Sequence, residues 1–269
     1  MMKQSLFIAG AVTTLIVSSC GVGKDGEKVP DGGFNLFTIQ QDKDLGHQVS
    51  QEIESNPAEY PVLDSASNTK AYKYIYDIRN KILATGKVKH KSEFAWRIRI
   101  INDDKTLNAF CTPGGYIYVY TGIIKYLDNE SQLAGVMGHE MGHADLRHST
   151  RQMTKIYGVQ LLMSAALGDS SAIAQITTGL IGLKFSRDHE TEADRMSVEY
   201  LCATDWPADG AAGFFEKIEA GGGAKVPEWL STHPSPVNRI SNYHTWATEA
   251  GCVGREKYEQ RYREFQSLF

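Results

Sequence analysis

The chain has 269 residues, 42% of them hydrophobic, and 28 Lys and Arg against 32 Asp and Glu give a formal charge of −4. That length suits one domain with a sizeable core, and no internal repeat or second linker argues for two. The acidic balance excludes nucleic acid as the expected partner.

The first residues read as a leader. Lys3 precedes an apolar run from Leu6 to Val17, followed by Ser18-Ser19-Cys20, the order of a secretory signal ending in a lipoprotein-type cleavage site. The run is too short to span a bilayer. Cleavage before Cys20 makes residues 1–19 a signal peptide and leaves a diacylated cysteine, since two chains anchor stably where one is marginal. An ordinary secreted protein with an incidental cysteine is the alternative. Gly21 rather than Asp follows Cys20, which in proteobacterial lipoproteins permits transfer to the outer membrane, so the expected location is the periplasmic side of a bacterial envelope. Residues 20–40, Gly-rich from Gly21 to Gly33, read as a flexible tether. Residues 41–269 remain for the functional domain.

Helices are predicted over Gln41 to Glu54 and Thr69 to Ala84, the second with Tyr72, Ile75, Tyr76, Ile78, Ile82 and Leu83 on one side. Strand patterning follows. Phe94, Trp96, Ile98 and Ile100 alternate with Ala95, Arg97 and Arg99, and Leu107 to Cys111 and Tyr116 to Tyr120 flank the turn Thr112-Pro113-Gly114-Gly115. Asp128 or Asn129 can cap the next helix, in which Leu133, Met137 and Met141 recur every four residues toward a core. Gly135, Gly138 and Gly142 each weaken a helix by about 1 kcal/mol relative to Ala, so they imply close approach of a neighbouring backbone.

That helix carries His139-Glu140-Met141-Gly142-His143. Four-residue spacing puts both imidazoles on one face, one turn apart, where each can give a ring nitrogen to a tetrahedral zinc ion. Glu140 is rotated about 100° from His139, toward the position where water binds. Zinc lowers the pKa of bound water to about 7, and a carboxylate in reach can take its proton as general base. Metal-assisted hydrolysis is the chemistry this pattern implies. A catalytic site needs a third protein ligand. Glu190 is the best candidate, with Asp194 on the same face one turn on, placed to accept the other ring N–H of a ligand histidine. His148 lies off the ligand face and reads as a structural residue or a hydrogen-bond partner of the ligands.

Two apolar stretches, Ile156 to Leu167 and Ala172 to Leu183, are each too short to cross a bilayer and suggest a helical hairpin or lid, with interfacial insertion as the alternative. Among the cysteines after Cys20, Cys202 and Cys252 are the expected disulfide, although sequence leaves other pairings open. Cys111 lies in a strand and reads as a small buried hydrophobe. His233 precedes Pro234, which holds it extended on a loop.

The residues together resemble the HtpX-like and BepA-like zinc metallopeptidases of peptidase family M48. His-Glu-x-x-His is followed by Glu190-Thr191-Glu192-Ala193-Asp194, with Leu107-Asn108-Ala109-Phe110, Pro113-Gly114-Gly115, Arg147-His148-Ser149, Thr232-His233-Pro234 and Arg239-Ile240 in support. The resemblance implies an α+β fold: a mainly helical gluzincin-type metallopeptidase domain with a small β-sheet whose edge strand borders the zinc cleft. It implies one zinc per chain, bound by His139, His143 and Glu190, with Glu140 as base. Asn108, Ala109 and Phe110 would hold an extended substrate by main-chain pairing. His233 and Arg239 would either stabilise the developing oxyanion, or His233 would bind the open zinc position and hold the enzyme off. Cys111 stands where such relatives often carry Ala. Unfolded or misassembled polypeptides in envelope quality control are the implied substrates, and the membrane is met through the N-terminal lipid. Two other readings compete: a chaperone-like periplasmic binding protein with a structural or latent zinc site, and a lipid-anchored assembly subunit.

Overall fold

Capping chemistry sets the first helix. Thr38 accepts from the Gln41 N–H while the Gln41 side chain accepts from the Thr38 N–H, a reciprocal capping box. Helix α1 therefore runs Ile39–Glu54, two residues ahead of the expected start. In the computed structural model of the protein, residues 35–221, 227–236 and 238–269 are described. The expected signal peptide over residues 1–19 and the expected lipid site at Cys20 lie outside these residues. The tether expected over 20–40 does not extend to Gln40. Asn35 donates to Thr150, Phe37 is buried and its carbonyl accepts from Arg147, so burial of one aromatic fixes the chain ahead of the helix.

Helix α2 (Thr69–Ala84) buries Ala71, Tyr72, Ile75, Ile78 and Ile82, the stripe its spacing requires. Strand β1 spans Arg97–Ile101, β2 Ala109–Thr112 and β3 Tyr116–Tyr120, in the order β1-β3-β2. β1 pairs with β3 in parallel and β2 with β3 antiparallel. β1 starts three residues later than the alternation from Phe94 predicts, because Trp96 adopts φ 44° and breaks the extended run. Pro113–Gly115 forms a 3₁₀ turn between β2 and β3, with Gly114 at φ 73°, a value that favours glycine.

The sheet is covered on both faces. Ile98, Ile100, Ala109, Cys111, Ile117 and Val119 face a core built with α2 and the later helices, while Ile101, Phe110, Tyr116, Tyr118 and Tyr120 face a second core that includes Leu45, Val49 and Ile53 of α1. After α3 (Thr121–Tyr126) comes α4 (Glu130–Asp145), capped by Asn129, and every residue of α4 is buried. Helices α5 (His148–Ile156), α6 (Val159–Ala166) and α7 (Ser170–Ile181) follow. α6 and α7 form a hairpin packed on α1.

Helix α8 (Arg187–Cys202) lies along α4 in the most extensive helix pairing of the fold. α9 (Ala212–Ala220), α10 (Trp229–Thr232), α11 (Arg239–Glu249) and α12 (Glu259–Gln266) close the core from the far side. Cys202 at the end of α8 is bonded to Cys252 beyond α11, with Cα atoms 4.9 Å apart. Cys111 is free and buried. No described helix is long and apolar enough to cross a membrane.

Candidate metal centre

Glycine on α4 lets α8 approach. A Cβ on Gly142 would lie 3.1 Å from the Ala193 carbonyl oxygen, and one on Gly138 would lie 2.9 Å from Ser197 Oγ, both on α8. The two helices can therefore meet at backbone distance, α4 carrying His139 and His143 and α8 carrying Glu190 and Asp194.

Four donors converge there. His143 Nε2 lies 2.9 Å from His139 Nε2 and 3.3 Å from Glu190 Oε1, and His139 Nε2 is 3.5 Å from Glu190 Oε2. His233, which the sequence places extended on a loop, is buried, with Nδ1 3.1 Å from Glu190 Oε1 and 3.3 Å from His139 Nε2. One ligand atom from each of His139, His143, Glu190 and His233 falls within 4.8 Å of the others. Burial and the neighbouring His143 push the His139 pKa down to about 3, which keeps that imidazole neutral and able to donate a lone pair. Burial works to raise Glu190, but the adjacent His233 and His143 outweigh it and hold the carboxyl well below its usual range. Three imidazoles and one carboxylate, buried and converging, fit zinc by ligand type and number.

The reverse sides of the two helical histidines are held differently. His139 Nδ1 lies 2.8 Å from Asp194 Oδ1, and the same oxygen accepts from Arg239 Nη2 at 2.6 Å and from the Tyr243 hydroxyl at 2.6 Å. Burial alone would raise Asp194, yet the Arg239 guanidinium keeps it low and ionised. Arg239 Nη2 also reaches Glu190 Oε2 at 3.1 Å, so Arg239 sits behind the donors. His143 Nδ1 meets His148 Nδ1 at 2.9 Å, and His148 Nε2 meets Glu192 Oε2 at 3.0 Å.

Glu140 is fully buried. Its Oε1 accepts from the Trp229 indole at 3.0 Å, its Oε2 has no hydrogen-bond partner, and burial raises its pKa to about 7. Cys111 lies beside it on β2, the thiol pushed up by burial and by the Glu140 charge. Ala109 and Phe110 lie in β2 with Asn108 just ahead of it, all three buried. The Tyr120 N–H donates to the Asn108 carbonyl, so strand alternation turns the main-chain groups of Ala109 and Cys111 away from β3. The Phe110 ring stacks on Tyr118 in the second core.

Motif reasoning missed Trp229, Phe185 and Tyr243. Trp229 stacks on His233 with centroids 4.4 Å apart, and Phe185 stacks on His143 at 4.0 Å. The four-residue spacing of Trp229 and His233, joined by a His233 N–H to Trp229 carbonyl bond, is the one signal that pointed to the first.

A histidine pair one turn apart on one helix, joined by a glutamate from a second helix and flanked by a short sheet, defines a gluzincin-type metallopeptidase domain. The sequence profile of peptidase family M48 matches residues 70–247, and the chain belongs to that family, whose metal is zinc. It is 29% identical over 223 residues to a mitochondrial metalloendopeptidase OMA1 of Schizosaccharomyces pombe, covering 81% of this chain and 64% of the relative. It is 32% identical over 158 residues to the OMA1 of Arabidopsis thaliana, covering 56% and 31%. It is also 31% identical over 166 residues to a beta-barrel assembly-enhancing protease of Escherichia coli, covering 56% and 34%. The chain thus spans less than two thirds of the length of each of these relatives.

Proposed function

We propose that the protein is a zinc-dependent metalloendopeptidase in which His139, His143 and Glu190 hold the ion and Glu140 is the general base. The observation that carries this reading is a fully buried Glu140 carboxylate, with one unpartnered oxygen, beside a converging set of imidazole and carboxylate donors. Zinc, when bound, supplies a Lewis acid that polarises a carbonyl and acidifies water to a pKa of about 7. Glu140 takes the proton of the attacking water and passes it to the leaving amine, a task suited to a carboxyl whose pKa burial has moved toward neutrality. The Trp229 indole fixes one Glu140 oxygen and leaves the other for that proton.

Asp194 orients His139, and His148 orients His143. Arg239 locks Asp194 and Glu190 in place. His233 would supply a fourth donor to the ion in a resting state and would have to leave for substrate to enter. The outward main-chain groups of Ala109 and Cys111 accept an extended peptide as an added strand, with Asn108 and Phe110 holding that strand in register. Pairing through the backbone is largely blind to sequence, which suits unfolded or misassembled polypeptides. One relative is named mitochondrial and another for β-barrel assembly. The leader ending at Cys20 favours the second setting: lipid-anchored quality control on the periplasmic side of the outer membrane.

The four-donor arrangement also supports a second reading, a chaperone-like binder with a latent or structural zinc, because closed structural sites carry four protein ligands. A buried Glu140 with a free oxygen has no role in such a site. One experiment separates the two: zinc content and cleavage of casein or an unfolded outer-membrane protein, for wild type and Glu140→Gln. We expect one zinc in both and a loss of cleavage of about 10²–10⁴-fold in the variant. Equal cleavage by both overturns the peptidase mechanism, and zinc without cleavage in either favours the binder.

A further inference from the structure

Seven large hydrophobic side chains are exposed among the described residues, and five of them are Leu36, Ile156, Val159, Met163 and Leu167. Helix α6 explains three. Its inward positions Leu162 and Ala165 are buried against α1 and α7, while Val159, Met163 and Leu167, spaced by four residues, point outward at 56%, 59% and 85% exposure. Leu36 and Phe37 join Val159, Leu162 and Met163 around a shallow hollow of 140 Å³, so the segment entering the domain and α6 form one surface. Ile156 precedes it at the end of α5, and no charged residue occurs from 156 to 168. Lys155 is exposed at its border. Single exposed hydrophobics are ordinary, but a contiguous group with no charge among them marks a surface that something covers.

We propose that this face docks on the surface of a phospholipid bilayer, with α6 lying in the headgroup boundary and Lys155 meeting lipid phosphate. The position of the patch selects this occupant. Leu36 is part of it, and Cys20 is sixteen residues upstream, so an acyl chain there keeps this face within about 55 Å of the membrane even at full chain extension. This step rests on the lipid-anchor reading above. A tether turns docking into an intramolecular event, so a weak apolar contact becomes effective without high intrinsic affinity. α6 has eight residues, which suits an interfacial helix buried about 5–10 Å deep and not a spanning one. Docking would fix the domain's orientation, where a tether alone leaves it free to rotate.

The test uses the full chain expressed with its leader and reconstituted into phosphatidylethanolamine and phosphatidylglycerol vesicles. Met163→Cys and Glu249→Cys carry an environment-sensitive fluorophore attached under non-reducing conditions, Glu249 being an exposed position on α11, a helix that packs on the other core. Mass analysis of the N-terminal peptide reports acylation of Cys20 separately. We expect emission at 163 to move to the blue on vesicles and to lose more than about half its intensity to brominated acyl chains, with 249 unchanged. Leu167→Asp should restore aqueous emission at 163 while the acylated chain still pellets with vesicles. An aqueous signal at 163 in acylated, vesicle-bound protein overturns the proposal. So does a desolvated signal already present without vesicles, which would mean that residues 1–34 or a second copy cover the patch. An unmodified Cys20 with a vesicle-dependent shift at 163 would refute the anchor and leave the docking surface standing.

Discussion

His139 and His143 are held by different means, and the difference is testable. An imidazole that gives its Nε2 lone pair to a metal carries its proton on Nδ1. For His139 that proton goes to ionised Asp194, whereas for His143 it goes to His148 Nδ1, which obliges His148 to donate through Nε2 to Glu192. Removing such a partner typically costs 10–100-fold in metal affinity. His148→Ala should therefore weaken zinc binding by about that factor in chelator competition, with Glu192→Gln smaller in effect because an amide oxygen can still accept. Unchanged affinity in both variants would assign the chain of contacts to packing. His233→Ala should raise basal proteolysis while zinc content stays at one per chain. A loss of activity with the fold intact would place His233 in the reaction itself. The histidine motif and Glu190 were legible because their spacing is set by one helical turn. Phe185 was not, since nothing local fixes which aromatic packs on a histidine 42 residues earlier, and Trp229 was marked only by its four-residue spacing from His233.

Between elements, the α4 and α8 pairing positions the donors, and glycine permits it. Gly135→Ala would drive a methyl into the Ala211 backbone, which cannot yield as a flexible side chain could. Overpacking of this kind costs about 1–3 kcal/mol, or roughly 2–4 °C of melting temperature per kcal/mol at this size. A calorimetric scan that left the midpoint unchanged would mean that α9 can slide. The glycines were read correctly as points of close approach, and α2 and β3 lie where the periodicity placed them. Alternation of Arg97 and Arg99 with isoleucines would by itself allow a sheet with one wet face. Instead both arginines bridge to Glu54 of α1, Arg97 at 2.8 Å and Arg99 at 3.3 Å, so a polar edge coexists with burial on either side. Strand periodicity cannot distinguish a charge facing water from one facing a partner helix.

Across the whole molecule, the later helices are tied to the donors. The Cys202–Cys252 bond closes 50 residues that include α9, His233, Arg239 and Tyr243. A loop of that length is worth about 4 kcal/mol in the chain-entropy account. Reduction, or Cys202→Ser with Cys252→Ser, should lower the denaturant midpoint by a corresponding amount; no change would show that this closure is redundant. Helix α4 is held from the same side, since the Glu130 N–H donates to the Lys257 carbonyl and Arg261 pairs with the Glu130 carboxylate. Tyr243 and Arg239 complete the support of Asp194. Synthesis must therefore pass Tyr243, and Arg261 for the support of α4, before the ion has a competent cradle. If the chain crosses a membrane unfolded, loading has to occur at the destination, and the metal supply of that compartment, not of the compartment of synthesis, governs when cutting can begin.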